Sequence, residues 1–153
     1  MKVEFLKPTL ADIPDMLALV AEEVEKGVIL YRSGAEIATT IRSYTILKKD
    51  GVLIGFVALH IHSEKLCEIR SLIISESERG SGYGSQLVEK VIEEAKRLNA
   101  KELIVLTYNP SMYPKFDFVE IDKESLPEQK IWTDCIKCKH FPVCNEILLI
   151  KTL

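Results

Sequence analysis

The chain has 153 residues, a net charge of −3 at neutral pH and 47% hydrophobic residues. This size and composition predict one globular domain over residues 1–153 and exclude a disordered or fibrous chain. The acidic balance argues against nucleic-acid binding through bulk positive charge. The longest uncharged run, residues 51–63, is too short to span a bilayer. We therefore expect a cytoplasmic protein that binds neither membrane nor nucleic acid.

The first half of the chain predicts a strand, two helices and a three-stranded antiparallel meander. Thr9 and Asp12 form a capping box that begins the first helix, and Gly27 ends it. Asp50 and Gly51 mark a tight hairpin turn. The predicted strands cover 3–7, 43–48, 52–62 and 66–75, and the predicted helices cover 9–26 and 35–41.

The second half begins with a glycine-rich loop and the clearest helix of the chain. Six apolar residues recur there at helical spacing and predict one buried stripe: Leu87, Val88, Val91, Ile92, Ala95 and Leu98. A buried strand at 102–107, a short helix or turn at 110–116 and strands at 118–121 and 146–151 follow. This order predicts an α+β fold with a mixed sheet.

The loop Arg79-Gly80-Ser81-Gly82-Tyr83-Gly84 follows a strand and opens a helix. This geometry presents several backbone N–H groups to one point, which suits a phosphate, and Arg79 adds a positive charge. Glycines let the backbone approach an anion closely and adopt positive φ. The loop lacks the Gly-Lys-Ser/Thr of a Walker motif, and the preceding hairpins do not fit a dinucleotide fingerprint. On the glycines alone, a plain connector is an equal alternative.

The stretch from Leu72-Ile73-Ile74 through this loop to Leu87 resembles the acetyl-CoA signature of the GNAT acetyltransferase superfamily. The resemblance implies a GNAT fold, with a mixed, mostly antiparallel sheet, flanking helices and a splayed strand pair at the cofactor site. It implies that residues of the loop and of the first helical turn bind the pyrophosphate: Arg79, Gly80, Ser81, Gly82, Tyr83, Gly84 and Ser85. It also implies that Leu72, Ile73 and Ile74 hold the pantetheine arm and the acetyl carbonyl.

A second segment, 112–118 with Asn109 before it, resembles the family's Phe-Tyr, short helix, Gly-Phe pattern. The resemblance places Asn109 at the cofactor and Tyr113 where it would protonate the departing CoA thiolate. Asp117 replaces the usual glycine, and aspartate tolerates the left-handed conformation better than most residues. The alternative for Tyr113 is a plain core tyrosine.

Four further stretches, 27–33, 41–44, 130–135 and 141–146, are similar to the short, single-domain N-acetylglutamate synthases of arginine biosynthesis. This similarity implies transfer of an acetyl group to the α-amino group of an amino acid, with L-glutamate as the acceptor. The alternatives are another GNAT acceptor, such as a protein N-terminus, a polyamine or a drug-like amine, and a metal-tethered interaction module without activity. A homodimer is compatible with each reading.

An acceptor with two carboxylates needs fixed cations and hydroxyl donors. The resemblance places Arg32 and Ser33 in an acceptor-binding loop, and Arg70 and Lys130 are further candidates. Arg70 interrupts an otherwise apolar strand, which is costly without a partner such as Glu68. The alternative for each cation is a solvated surface charge, which is favoured for Lys130.

The acceptor amine must lose a proton before it attacks the thioester, which calls for a general base. Glu68 matches the strand glutamate of the family, and strict alternation would put Glu68, Arg70 and Leu72 on one face. A backbone amide near Leu72 or Ile73 would stabilise the oxyanion. The alternatives are a purely structural Glu68–Arg70 ion pair and a histidine base, either His60 or His62.

Three cysteines, Cys135, Cys138 and Cys144, lie close together with His140 between them. This spacing could hold a structural zinc ion in a C-terminal extension over residues 123–146 that packs on the domain. The alternative is a set of reduced thiols, which is usual inside cells. Cys67 is expected to be a small core residue.

Overall fold

The computed structural model describes residues 1–25, 32–122 and 146–153, which form one seven-stranded sheet and three α-helices. The strands are β1 Val3–Leu6, β2 Tyr44–Lys49, β3 Val52–Ile61, β4 Leu66–Ile74, β5 Glu102–Thr107, β6 Val119–Ile121 and β7 Ile147–Thr152. The helices are α1 Ile13–Glu25, α2 Gly34–Thr39 and α3 Tyr83–Arg97. These elements confirm the predicted α+β architecture.

The strands follow the order β1-β2-β3-β4-β5-β7-β6 across the sheet. Every neighbouring pair is antiparallel except β4 and β5, which are parallel. A parallel pair needs a crossover connection, and α3 supplies it. The glycine-rich loop leaves the sheet at the end of β4 and leads into the start of α3.

The two faces of the sheet carry separate apolar clusters. Helix α3 covers one face with Leu87, Val88, Val91, Ile92 and Ala95, as predicted. Met16 and Val20 of α1 and Ile37 of α2 pack on the other face. Leu98 does not belong to the predicted stripe: it is the C-cap residue of α3, past the turns that pack on the sheet, and is 53% exposed.

The predicted helix starts are close to those observed, with one difference in type. Thr9 and Asp12 form the predicted capping box, but Leu10–Asp12 is a 3-10 turn that leads into α1. The second helix begins one residue before the prediction, at Gly34, because Ser33 caps it. The predicted hairpin at Asp50 and Gly51 is confirmed, and both residues have positive φ, 52° and 82°.

Strands β4 and β5 separate part-way along their length. Their parallel pairing runs from Leu66–Glu102 to Ile69–Val105, whereas β4 continues to Ile74 against β3. The splayed pair predicted from the family resemblance is therefore present in the described residues. It opens a gap at the carboxyl end of β4, beside the loop that begins α3.

A β-bulge in β4 overturns one prediction. Arg70 lies opposite Ala58, and Ile73 lies opposite Phe56. Between these two pairs, β4 contains one residue more than β3. Ser71 carries the strain with φ of 56°. Arg70 and Ile73 thus share a face, and Leu72 turns to the α3 side with the other cluster. The prediction that Glu68, Arg70 and Leu72 share one face is wrong because the bulge shifts the alternation.

Among the described helices, none combines the length and the apolar character that crossing a membrane requires.

Candidate active site

A cleft of about 440 Å³ lies at the splayed end of β4. Its walls contain most of the residues predicted to hold the cofactor: Leu72, Ile73, Ile74, Arg79, Gly80, Gly82, Tyr83, Gly84 and Asn109. Ser81 and Ser85 stand in the same loop and helical turn without being part of these walls. Glu78 and Met112 also line the cleft, and the sequence analysis missed both.

The loop adopts the backbone conformation that its glycines permit. Gly80 and Gly82 have φ of 85° and 84°, and a Cβ at either position would meet no atom within 4 Å. The left-handed conformation, rather than crowding, therefore favours glycine here. Gly82 stands at the N-cap position of α3 and has no side chain to accept a hydrogen bond. The first backbone amides of this helix are therefore left for another acceptor.

Two cationic side chains at the cleft are held by hydrogen bonds. The Nε of Arg79 donates to the carbonyl oxygen of Ile74 at 3.0 Å, which holds the guanidinium across the start of the loop. The Nζ of Lys49 donates to both carboxylate oxygens of Glu78 at 3.1 Å, and these bonds raise the pKa of Lys49. Lys49 thereby offsets the negative charge of Glu78 in the cleft wall.

Gly55 permits the close approach of β3 to β4 below the cleft. It lies opposite Ile74, and an added Cβ would stand 2.8 Å from the carbonyl oxygen of Ile73 and 2.7 Å from Cδ1 of Ile74. A larger residue would push β4 into the cleft. The sequence signal was a lone glycine inside a strand, which often marks such a contact.

The predicted Asn109 and Tyr113 differ in their surroundings. Asn109 lines the cleft, and its Oδ1 accepts a hydrogen bond from Ser111 at 2.8 Å. Tyr113 is 3% exposed, stacks edge to face on Phe118 with ring centroids 5.4 Å apart, and is not a wall residue. Burial raises the pKa of Tyr113 to about 12, so its hydroxyl keeps the proton at neutral pH. Asp117 takes the expected left-handed conformation, with φ of 70°.

A buried polar cluster lies on the other face of β4. Glu68 is 3% exposed, and its Oε1 lies 3.0 Å from Nε of Arg70 and 2.8 Å from Nε2 of His62. The direction of the His62 contact depends on the imidazole tautomer; with Glu68 ionised, Nε2 of His62 is the donor. The His60 ring stands edge to face against that of His62 at 4.6 Å. The structure thus joins the candidate base, its predicted ion-pair partner and both histidines.

Tyr44 connects this cluster with the predicted acceptor loop. Tyr44, Ala58 and Arg70 form one row across β2, β3 and β4, and the small Ala58 leaves space between the other two side chains. Burial raises the pKa of Tyr44, while the nearby charges of Arg32 and Arg70 act in the opposite direction. Both arginines therefore lie within electrostatic reach of one phenol. The sequence analysis missed Tyr44, which looks like an ordinary strand aromatic.

Ser33 has a structural task in α2. Its Oγ accepts from the backbone N–H of Glu36 at 3.1 Å, and its own N–H donates to Oε1 of Glu36 at 3.3 Å. This capping box fixes the start of α2 directly after Arg32. Ser33 therefore holds the arginine in place, and acceptor binding by its hydroxyl stays a prediction.

The predicted Lys130, Cys135, Cys138, Cys144 and His140 lie outside the described residues. Within residues 1–25, 32–122 and 146–153, no group of three or more His, Cys, Asp or Glu side chains could hold a metal ion. Cys67 is buried as a free thiol, and burial raises its pKa, in line with the expected core role.

Comparison with known proteins assigns the family and the fold. Residues 16–118 match the acetyltransferase (GNAT) family. The chain belongs to the GNAT family. An uncharacterized N-acetyltransferase of Chlorobaculum tepidum is 36% identical over 94% of this chain and 92% of its own length. The amino-acid acetyltransferase of Aeromonas salmonicida is 33% identical over 81% of this chain but only 29% of that enzyme.

Solved GNAT structures agree with this assignment. The N-acetylglutamate synthase of Neisseria gonorrhoeae, complexed with coenzyme A and N-acetyl-glutamate, superposes with a TM-score of 0.84 at 26% identity. All of this chain is matched, against 35% of that enzyme, so this GNAT chain spans about a third of such longer relatives. A Mycobacterium tuberculosis protein solved with CoA shares the fold over 99% of its length, with a TM-score of 0.83 at 17% identity. The predictions of a GNAT fold and of an acetyltransferase are confirmed.

Proposed function

We propose that this GNAT enzyme transfers the acetyl group of acetyl-CoA to the α-amino group of an amino acid, and that the acceptor is L-glutamate. One observation carries the choice of acceptor: the positive charges of Arg32 and Arg70 both lower the pKa of Tyr44, which burial raises. Arg70 also contacts the buried carboxylate of Glu68. Two guanidinium groups near one phenol suit the two carboxylates of glutamate. The names of the amino-acid acetyltransferases that resemble this chain support the same acceptor class.

The cleft fits coenzyme A on its own geometry. The left-handed Gly80 and Gly82 and the uncapped start of α3 supply backbone donors for a diphosphate, and Arg79 supplies a charge. The apolar Leu72, Ile73 and Ile74 line the continuation of the cleft, where a pantetheine arm would lie. When bound, acetyl-CoA supplies the thioester that carries the acetyl group.

Glu68 is the proposed general base of the transfer. The α-amino group of a glutamate acceptor is largely protonated at neutral pH. It must therefore give up a proton to the base, directly or through water. Arg70 and His62 orient the Glu68 carboxylate through Oε1. A backbone N–H near Leu72 or Ile73, beyond the point where β4 leaves β5, would stabilise the negative oxygen that develops during attack.

Tyr113 is the proposed proton donor to the departing thiolate. Its hydroxyl is protonated at working pH, as this role requires, but the raised pKa makes it a weaker acid than an ordinary tyrosine. Its burial against Phe118 is equally expected of a core tyrosine. Replacement by phenylalanine separates the two roles, because only the donor role predicts a loss of kcat without a loss of stability.

A thiol-release assay with acetyl-CoA and each common amino acid tests the proposal. We expect glutamate to be the preferred acceptor by kcat/KM. Glutamine should be weaker because it lacks the second carboxylate, and aspartate because its two carboxylates lie closer together. Turnover of a polyamine or a peptide N-terminus, with glutamate inert, would identify a different GNAT acceptor. Release of no thiol with any amine would contradict the enzyme assignment.

Five further features belong to this proposal. They are a place in arginine biosynthesis, a cytoplasmic location, a homodimer, an acceptor contact by Lys130 and a structural zinc ion on Cys135, Cys138 and Cys144. Metal analysis of the purified protein and its mass in solution test the zinc and the dimer directly.

A further inference from the structure

Lys115 contacts the first turn of α3, directly after the wall residue Gly84, and has no role in the fold that explains its charge. It belongs to the 3-10 turn Pro114–Phe116, between β5 and β6. Its Nζ donates to Oγ of Ser85 at 2.6 Å, and the Phe116 ring lies 5.3 Å from it. Neither partner is an anion. Within the described residues, no carboxylate pairs with this ammonium group.

The position is unfavourable for a cation. Ser85 belongs to the first turn of α3, whose helix dipole carries partial positive charge at that end. The first turns of α1 and α2 contain Asp15 and Glu36, which compensate this charge, whereas the first turn of α3 has no acidic residue. Lys115 therefore adds a positive charge at a helix end that already carries partial positive charge and has no acidic residue in its first turn.

The segment that carries Lys115 is packed onto the cleft. Met112 and Gly84 both line the cleft, and a Cβ on Gly84 would stand 3.8 Å from Sδ of Met112. Tyr113 and Phe118 anchor the segment in the core, and Asp117 turns it back with positive φ. These contacts hold the backbone of Lys115, which is itself exposed, beside the start of α3.

From this geometry we propose that Lys115 binds a phosphate group of coenzyme A and completes the charge of the α3 start. The inference rests on the proposed use of acetyl-CoA. Arg79 stands at the beginning of the loop and Lys115 at the first helical turn, so the two cations flank the amides between them. A phosphate there would accept from the ammonium group and be favoured by the helix dipole.

The test measures dissociation constants by calorimetry at fixed ionic strength for three ligands: CoA, 3′-dephospho-CoA and pantetheine. The variants are Lys115→Met, which keeps an apolar stem without the charge, and Lys115→Arg, which restores it. Lys96→Met is the matched control, because Lys96 is also exposed but lies in the last turn of α3, far from the glycine-rich loop. Thermal melting of each variant shows that it is folded.

We expect Lys115→Met to weaken CoA binding by on the order of tenfold, with Lys115→Arg within about threefold of the parent and Lys96→Met without effect. If dephospho-CoA escapes the loss, Lys115 binds the 3′-phosphate. If CoA and dephospho-CoA are weakened alike and pantetheine is not, it binds the pyrophosphate. Either result supports the proposal.

An unchanged affinity of Lys115→Met for CoA, or an equal loss for pantetheine, would overturn it, the latter because the effect would then be structural. The parent protein separates this outcome from failure of the proposed function. If the parent binds CoA and Lys115→Met binds it equally well, only the role of Lys115 is wrong. If the parent binds no CoA, the proposed function itself is wrong.

Discussion

The two halves of the proposed active site, the cofactor cleft and the acceptor side, are built by different means. The cofactor cleft depends on the backbone, through the left-handed Gly80 and Gly82 and the uncapped start of α3. The acceptor side depends on charged side chains that hold one another, with Glu68 between Arg70 and His62. A backbone site should tolerate most single side-chain changes around it. A site made of a few buried charges should fail when one of them is removed.

The largest expected effect is on the acceptor side, at Glu68. Glu68→Gln keeps the shape and an acceptor oxygen but removes the base, so we expect kcat to fall by about 10²–10⁴-fold. The dissociation constant for acetyl-CoA should stay within about twofold, because Glu68 lies outside the cleft wall. Steady-state kinetics and calorimetry measure the two. A kcat near that of the parent would reduce the Glu68–Arg70 pair to a structural contact.

Tyr113 tests how completely the core beneath the cleft excludes water. Its pKa is about 12 in the folded chain against 10.0 ordinarily, so folding favours its protonated form. As pH rises from 10 to 12 the unfolded chain loses this proton first, and stability should fall by roughly 2–3 kcal/mol. Urea unfolding of the parent and of Tyr113→Phe over this range isolates the effect. Parallel curves for both proteins would mean that the hydroxyl is hydrated.

Arg70 tests whether the acceptor side recognises a carboxylate. Arg70→Met should raise KM for glutamate by about 10–100-fold, the usual range for a lost charge-assisted hydrogen bond, and leave KM for acetyl-CoA unchanged. Arg97→Met, an exposed arginine at the far end of α3, removes the same charge as a control. An equal rise in both KM values would mean that Arg70 supports β4 as a whole.

The smallest expected effect is at Ser33. Ser33→Ala removes the cap of α2 and should cost about 1 kcal/mol of stability in a denaturant titration. If Ser33 only positions the start of α2, Ser33→Asp restores the cap and the activity together. A variant that regains stability but keeps a raised KM for glutamate would show that the hydroxyl itself contacts the acceptor.

The sequence predicts the glycine-rich loop and most of the cleft walls because their signals are local. Glycines that need positive φ, a strand before them and an amphipathic helix after them lie within one short stretch, and the family pattern covers it. The splayed strands follow from the same resemblance. Gly55 gave a weaker signal, since a lone glycine in a strand can mean a bulge or a close contact.

The acceptor half is harder to predict because it is assembled across strands. Ser71 gives no glycine signal for the bulge, and that one extra residue moves Leu72 to the other face. Tyr44 reaches Arg70 only through the register of three strands. Lys115 meets Ser85 across 30 positions of sequence, which no local pattern reveals.

The measurement that tests the account most directly is an amide chemical-shift titration of the labelled protein with coenzyme A. The account predicts that the largest shifts fall on the backbone amides of the loop and first helical turn, Gly80 to Ser85, and that they saturate with a single dissociation constant. Smaller shifts should follow along Leu72 to Ile74. Saturable shifts confined to another surface, or none at millimolar coenzyme A, would contradict the claim that this glycine loop binds the cofactor's phosphates.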